Sequence, residues 1–184
     1  MSSKNTVFEQ QLEKYQPLEK YQLELKQKFL DFFNQYSEMS FKRENLSGHF
    51  TGSAFVVNLK SKKFALVEHK KLHRWLQPGG HADGDSDIQR VAAKELKEET
   101  GLKNFEVALE GNIFDLDLHE IPEHKNTPRH FHYDLRFLFT TEEDELVCSE
   151  ESKDLRWFDQ KEFSQLKSDE SVKRLVAKAS DFFE

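Results

Sequence analysis

The stretch PGGHADGDSDIQRVAAKELKEETGL, residues 78–102, carries the pattern from which the fold is predicted. Gly79 and Gly80 close an apolar segment, and glycine lets a backbone approach a ligand closely. Apolar positions then recur every three or four residues, which predicts a helix over about residues 87–100. Gly101 can adopt the left-handed conformation that ends many helices. The predicted order is therefore strand, turn and helix.

The start of this helix has a predicted cap. Ser86 is followed three residues later by Gln89, a spacing that is typical of a capping box. A side-chain oxygen at the cap accepts a hydrogen bond from a backbone N–H that has no partner inside the helix. We expect Ser86 to fill that position.

Three carboxylates of the helix converge on its apolar side. At about 100° per residue, Glu95 and Glu99 point with the apolar face, and Glu98 lies at its edge. Carboxylates four residues apart repel each other, and desolvating them is costly unless a cation compensates. Their hard oxygen atoms suit Mg²⁺, with Mn²⁺ as a second possibility. The alternative is a solvated helix surface paired with Lys94 and Lys97.

This stretch resembles the Nudix box, whose pattern is Gly, five residues, Glu, seven residues, then Arg-Glu-aliphatic-x-Glu-Glu-x-Gly-aliphatic. The resemblance continues through HFTGSAFVVN, LHRWLQPGGHADGD, HFHYDLRFLF and ESKDLRWF, and so spans about residues 48–163. The residues at matching places of the box are Gly80, Glu95, Leu96, Glu98, Glu99, Gly101 and Leu102.

Two positions depart from the box. Ser86 stands where the pattern has its first Glu, and Lys94 stands where it has Arg. In the family these two residues help to order the loop against the helix, so we expect a different arrangement here, with Asp85 or Asp87 as the partner of Lys94. The departures also keep a second hypothesis open, namely a noncatalytic Nudix-fold module that binds or senses a nucleotide.

The resemblance implies a hydrolase that uses metal-assisted attack of water. Its substrate would be a nucleoside diphosphate linked to another group X, and its products a mononucleotide and phosphorylated X. The implied metal ligands are Glu95, Glu98, Glu99, the Gly79 carbonyl and an acid of the later loop, Glu151 or its neighbour Glu150. Glu98 is either the third ligand or the general base. Substrate contacts are expected at Arg74, Gly80, His81 and His132.

Four histidines fall in one neighbourhood of the sequence, and two of them, His130 and His132, alternate on a predicted strand. Such spacing places two imidazoles on one face, as a zinc site does. Binding of phosphate or a base, and a solvated strand face, are the alternatives. The other two members are His119 and His124.

The remaining pattern predicts an α+β fold with a mixed sheet and flanking helices in an α/β/α sandwich. Strands are expected over residues 50–58, 63–69, 75–76, 105–118, 131–139 and 155–158, followed by two short helices. An amphipathic helix over residues 18–36, with Pro17 in its first turn and a shorter helix before it, is expected to pack on the domain or on a second subunit. The expected organisation is a helical extension over residues 1–47 and a Nudix domain over residues 48–184, as a monomer or homodimer.

Composition narrows the classes of partner. There are 27 Lys and Arg against 34 Asp and Glu, giving a net charge of -7, which opposes binding to long nucleic acids. A small nucleoside diphosphate derivative remains compatible, because a bound cation inverts the local charge. No apolar run approaches the roughly 20 residues of a membrane span. The single Cys148 cannot form an internal disulfide, so a cytoplasmic protein is expected.

Overall fold

The computed structural model describes residues 6–70, 72–124, 127–150, 152–166 and 168–183. Its α-helices are α1 (Val7–Lys14), α2 (Lys20–Tyr36), α3 (Ile88–Thr100), α4 (Gln160–Ser164) and α5 (Glu170–Lys178). Its strands are β1 (Gly48–Asn58), β2 (Lys63–His69), β3 (Arg74–Leu76), β4 (Gly79–His81), β5 (Phe105–Val107), β6 (Asp115–Ile121), β7 (His130–Thr141) and β8 (Ser152–Phe158). Within the described ranges, no helix has the length and apolar character that crossing a bilayer requires.

The strands form one mixed sheet, whose main path runs in the order β3-β2-β1-β7-β5. β1 is parallel to β7 from the pair Gly48 and Phe131 to the pair Asn58 and Thr141. β4 pairs antiparallel with β1, β6 with β7, and β8 with β2. Every residue of β1 is buried, so this strand forms the centre of the sheet.

Helices cover both faces of the sheet. Phe50 and Val56 of β1 belong to the larger apolar core, which α1, α2 and α3 complete on one face. Phe55 and Val57 point to the other face and join a second core that includes residues of α4 and α5. Successive side chains of a strand point to opposite faces, which explains the division. The α/β/α sandwich predicted from the sequence is confirmed.

α3 lies very close to β1 because of a glycine. A Cβ atom on Gly52 would lie 2.8 Å from the carbonyl oxygen of Ile88, at the start of α3. At the other end of α3, Gly101 has a φ of 73° and its N–H donates to the carbonyl of Lys97 at 3.0 Å. The predicted left-handed end of this helix is therefore confirmed.

The cap of α3 differs from the prediction, because Asp87 and not Ser86 occupies it. The Asp87 carboxylate accepts a hydrogen bond from the Arg90 N–H at 3.2 Å. Asp and Ser are about equally good caps, so this local sequence allows either starting point. Gln11 of α1 also donates to the Asp87 carboxylate, at 3.1 Å, and this second contact favours the observed choice.

α2 packs on its own chain through aromatic rings and one buried amide. The ring centroid of Phe32 lies 4.0 Å from that of Tyr133 on β7. Gln22 is buried, donates to the Leu116 carbonyl at 3.0 Å and accepts from the Leu116 N–H at 2.9 Å. The Gln22 amide thus bonds to the backbone of β6 in the way that a neighbouring strand would. They place the predicted apolar stripe against the sheet in cis from Leu25 to Phe33, whereas Leu18 and Tyr21 at its start are 96% and 50% exposed.

Three further details of the predicted secondary structure are wrong, the first being that Gly79 and Gly80 lie inside β4 instead of closing the strand before them. α2 begins at Lys20, so Pro17 precedes the helix instead of lying in its first turn. Residues 105–118 are two strands, because β5 and β6 are separated by a turn. Leu109 and Glu110 adopt φ values of 53° and 55° in that turn, which a strand cannot contain.

Candidate active site

Gly80 and Glu95 form the tightest contact between β4 and α3. A Cβ atom on Gly80 would lie 2.5 Å from the carboxyl carbon of Glu95 and 2.6 Å from its Oε1 atom. Only glycine therefore allows this carboxylate to lie against the strand. The Glu95 side chain retains 18% exposure, which leaves it open on one side.

Glu99 lies one turn further along α3 and is fixed by two donors. The Gly79 N–H donates to Glu99 Oε1 at 2.9 Å. The Ser152 hydroxyl donates to Glu99 Oε2 at 3.4 Å. β4 and the first residue of β8 therefore meet at this carboxylate.

Glu98 lies at the rim of the same side of α3, and its side chain is 56% exposed. Lys94 Nζ lies 3.5 Å from Glu98 Oε2 and 3.9 Å from Glu95 Oε1. Lys94 thus pairs with the helix carboxylates, and the expected pairing with Asp85 or Asp87 is wrong. The reason is distance along the helix, since Glu98 is four residues from Lys94 and on the same face.

Another ion pair orders the loop between β4 and α3. The Arg90 guanidinium donates to both carboxylate oxygens of Asp85, at 2.7 and 2.9 Å. The same carboxylate accepts from the Asp87 N–H at 2.9 Å. Two parallel hydrogen bonds fix both the distance and the orientation of such a pair. Asp85 and Arg90 therefore connect the loop to the helix, although this chain lacks the Glu and the Arg that the Nudix box has at positions 86 and 94.

The arrangement fits a divalent cation with oxygen ligands. Glu95 and Glu99 are partly buried and Glu98 is exposed at their edge, as the helical pattern predicts. Mg²⁺ is usually held by one or two carboxylates and keeps waters or phosphate oxygens in its other positions. The β4 backbone lies against both carboxylates, at Gly80 for Glu95 and at the Gly79 N–H for Glu99, so Glu95 and Glu99 could hold such an ion.

Arg43 is a neighbour of this site that the sequence pattern does not predict. Arg43 donates to both carboxylate oxygens of Asp83 in the β4–α3 loop, one at 2.7 Å. That hydrogen bond, followed by the nearby acids Asp83, Glu44 and Glu95, raises the Arg43 pKa against the opposing effect of burial. An open cavity of about 690 Å³ lies beside this ion pair. Its lining consists of Met39, Lys42, Arg43, Glu44 and Asp83.

The other residues that the sequence suggested for the site are not gathered around the helix carboxylates. Arg74, at the start of the edge strand β3, is paired with Asp169 at 2.6 Å. Glu151 lies outside the described residues. The backbone carbonyl of Glu150 accepts a hydrogen bond from Lys70. Burial and then Asp154 raise the pKa of the Cys148 thiol, as its acidic surroundings predict, so it is a poor nucleophile.

His132 belongs to a cluster of histidines on the sheet. It faces His49, its register partner on β1, with ring centroids 4.8 Å apart. His81 of β4 lies 4.9 Å from His49 and 5.1 Å from His132. His130 and His119 flank the group, at 5.2 and 5.3 Å from His132. The predicted pairing of His130 and His132 on one face is confirmed, and His49 is an unforeseen member.

His49, His81 and His132 are neutral at neutral pH because burial lowers the pKa of each ring. Burial, followed by the charges of His81 and His130, lowers the pKa of His49 to about 4. Burial, followed by His119 and His49, lowers the pKa of His132 to about 2. Burial and then Arg43 also lower the His81 pKa. These three rings are therefore uncharged and offer lone pairs and N–H groups.

The chain is similar to a known family of proteins and to one bacterial protein in sequence. A family model described as NUDIX domain matches residues 49–179 of the chain. A protein of Lactococcus lactis subsp. cremoris, named as a probable DHNTP pyrophosphohydrolase, is 34% identical over 100 residues. That match covers 53% of this chain and 58% of the relative, so it spans little more than half of the relative's length.

Solved structures agree with the sequence relatives. A NUDIX-family hydrolase from Clostridium perfringens is 26% identical, with a TM-score of 0.56, and the match covers 74% of this chain and 98% of that chain. The dihydroneopterin triphosphate pyrophosphohydrolase of E. coli is 14% identical, with a TM-score of 0.55 and coverage of 70% and 92%. The second likeness concerns the fold alone.

Proposed function

Since this chain belongs to the NUDIX domain family, we propose that it hydrolyses a phosphoanhydride bond in a small nucleoside diphosphate derivative. Water attacks one phosphorus atom, the anhydride bond breaks, and the products are a mononucleotide and the phosphorylated second group. The observation that carries the proposal is the contact of the Glu95 carboxylate with Gly80, beside Glu99 on the same helix. This contact brings the glycine and the glutamates of the Nudix box together in one site.

In this proposal, Glu95 and Glu99 hold Mg²⁺ or Mn²⁺ together with the Gly79 carbonyl. Glu98 completes the ligand set or accepts the proton of the attacking water, as its exposed position at the rim allows. Glu151, which lies outside the described residues, is proposed as a further ligand on the resemblance to the Nudix family alone. When bound, the ion supplies charge neutralisation on the phosphates and an attacking water of lowered pKa.

The protein's own groups would bind and orient the substrate. Gly80 gives a phosphate close access to backbone, and Arg74 offers a cation at the sheet edge. His81 and His132 are proposed to contact the base or a phosphate as neutral donors and acceptors. Arg43 adds a guanidinium beside the cavity next to the β4–α3 loop. The chain is proposed to act as a monomer, because α2 covers its apolar stripe in cis.

The noncatalytic alternative rests on Ser86 and Lys94, which replace two residues of the box. The ion pair of Asp85 with Arg90 argues for catalysis, because it orders the same loop by other means. An ordered loop keeps Gly79 and Gly80 against the helix carboxylates. We therefore favour turnover over binding alone.

Product analysis with purified protein tests the proposal. The panel comprises nucleotide sugars, dinucleoside polyphosphates, nucleoside triphosphates and the pterin triphosphate named for two similar proteins. Each substrate is incubated with Mg²⁺ and with a chelator, and the products are separated. We expect Mg²⁺-dependent release of a mononucleotide from a diphosphate-linked substrate. Binding without turnover across the panel would support the noncatalytic module, and preferential cleavage of a triphosphate would correct the substrate class.

A further inference from the structure

The histidine cluster and the helix carboxylates lie on opposite faces of β4. Gly80 faces Glu95 on α3, and successive side chains of a strand point to opposite faces, so His81 points away from α3. On that side His81 meets His49 and His132. The imidazoles therefore form a group of their own, separated from the carboxylates by the backbone of β4.

The sheet register brings these three imidazoles together. His49 and His132 are directly paired across the parallel strands β1 and β7. His81 is paired with Thr51, which lies two residues beyond His49 on the same face of β1. One ligand nitrogen from each histidine lies within 4.8 Å of the other two. Three separate strands thus hold the group, and no loop closure is needed to assemble it.

Hydrogen bonding leaves this cluster unsatisfied. Among the described residues, both ring nitrogens of His49 and the Nε2 atom of His132 are buried and have no hydrogen-bond partner of normal geometry, although the Asn45 backbone is near enough to His49 to favour its protonated form. Buried polar side-chain atoms of folded proteins nearly always have a partner, and each exception calls for an explanation. A ligand that accepts electron pairs from several nitrogens at once would provide one.

The donor atoms of the cluster suit a metal ion. Burial keeps His49 and His132 in the neutral form, and each neutral ring offers a lone pair. Neutral imidazole is the form that binds metal ions. Asp83, the nearest acid in the β4–α3 loop, is engaged with Arg43. The donors available to a cation are therefore nitrogen atoms.

We propose that His49, His81 and His132 form a second metal site, which binds a transition-metal dication such as Zn²⁺ and is distinct from the carboxylate site. Imidazole nitrogen suits Zn²⁺, whereas Mg²⁺ prefers oxygen ligands. Three histidines leave the fourth tetrahedral position open, as in zinc sites that bind an exchangeable ligand. A substrate group would then meet His81 and His132 through the metal ion, by binding at its open fourth position.

Binding requires only a small contraction of the cluster. Zn–N bonds of about 2.0–2.1 Å place tetrahedral ligands roughly 3.3 Å apart. The nitrogens, now within 4.8 Å of one another, would approach by at most about 1.5 Å. Rotation of the imidazole rings covers that distance. The ion would tie β4 to β1 and β7, and would hold Gly79 and Gly80 in place for the other site.

Metal titration of the untagged full chain tests the proposal. After treatment with a chelator, the protein is titrated with Zn²⁺ in a large excess of Mg²⁺, and the zinc ligands are identified by X-ray absorption. We expect one Zn²⁺ per chain, bound by imidazoles and not displaced by Mg²⁺, and a raised unfolding temperature. No retained Zn²⁺, or a spectrum with only oxygen ligands, would overturn the proposal.

Matched variants locate the ion. His132→Asn and His81→Asn should each weaken Zn²⁺ binding by at least about tenfold. His73→Asn, an exposed histidine outside the cluster, and Glu99→Gln should leave the affinity unchanged. Loss of binding in Glu99→Gln, with binding retained in His81→Asn, would place the ion at the carboxylates and contradict the proposal. If His132→Asn fails to fold, the zinc affinity of His81→Asn, a change at a half-buried residue, and the X-ray absorption spectrum of the wild type still test the site. None of these readouts depends on hydrolysis.

Discussion

At the scale of single residues, Gly80 and Glu95 depend on each other. The carboxyl carbon of Glu95 occupies the space that a Cβ atom of residue 80 would need, at 2.5 Å. Any side chain there displaces the carboxylate or the strand. The proposed metal ligand therefore constrains a residue fifteen positions earlier in the chain.

Gly80→Ala should reduce Mg²⁺-dependent turnover at least about tenfold while the protein remains folded, because Glu95 must move. Gly84→Ala is the control: no atom lies within 4 Å of its Cβ position, and its φ of 93° makes strain the only cost. Turnover and unfolding temperature are measured for both. Equal turnover in the two variants would show that the close approach at Gly80 does not matter.

The sequence predicted the members of the carboxylate site better than those of the histidine cluster. Glu95, Glu98 and Glu99 lie within two turns of one helix, so the helical period alone determines their relative positions. His49 and His81 come from different strands, and their meeting with His132 depends on the sheet register. Nothing local in the chain specifies that register.

At the scale of elements, α5 is tied to the sheet by buried charges. Arg136 on β7 is 2% exposed and lies 2.8 Å from Asp134 and 3.1 Å from Asp117. Arg174 of α5 reaches Asp117 at 2.9 Å and Asp115 at 2.8 Å. Two guanidinium groups thus neutralise carboxylates on three neighbouring sheet positions, between the histidine cluster and the second apolar core.

Arg136→Met should destabilise the protein by about 3–5 kcal/mol, because the buried carboxylate of Asp134 loses the guanidinium that neutralises it. Arg129→Met is the matched control, since Arg129 is 70% exposed and only 3.6 Å from Glu120 at the surface. That pair should contribute at most about 1 kcal/mol. Urea unfolding compares the two variants, and similar midpoints would contradict the importance assigned to the buried network.

Element prediction succeeded where one pattern persisted and failed where the backbone turned. β2 has the bounds that its apolar pattern predicts, and α3 was predicted to within one residue. The turn at Leu109 and Glu110 interrupts an apolar pattern that continues into β6. The local signal for this turn is Gly111, which has a φ of 75°, because neither Leu109 nor Glu110 favours a left-handed conformation.

At the scale of the whole molecule, the N-terminal helices complete the core of the domain. The family match begins at residue 49, after both helices. We propose that residues 1–47 are an extension of a domain over residues 48–184. Phe8 and Phe29 are nevertheless completely buried against it, with Phe50 of β1 4.3 and 5.9 Å away between ring centroids. The extension therefore stabilises the domain on which it packs.

Phe29→Ala should lower the free energy of unfolding by about 3–5 kcal/mol, as expected for a buried aromatic side chain. Leu18→Ala provides the control, because Leu18 is 96% exposed although it belongs to the same predicted stripe. Its effect should stay within about 0.5 kcal/mol. A small effect of Phe29→Ala in thermal and urea unfolding would mean that α2 does not contribute to the folded domain.

Glu95 and Glu99 are proposed to hold the ion required for hydrolysis, and steady-state turnover of Glu99→Gln is the measurement that decides it. Glu106→Gln on β5 is the matched control, since it makes the same chemical change at an exposed position. Both proteins are assayed with Mg²⁺ on the substrate found in the panel, and unfolding temperatures verify the fold. We expect Glu99→Gln to lose most turnover while Glu106→Gln retains it. Folded Glu99→Gln with activity within about tenfold of the wild type, or roughly 1.4 kcal/mol, would contradict the assignment.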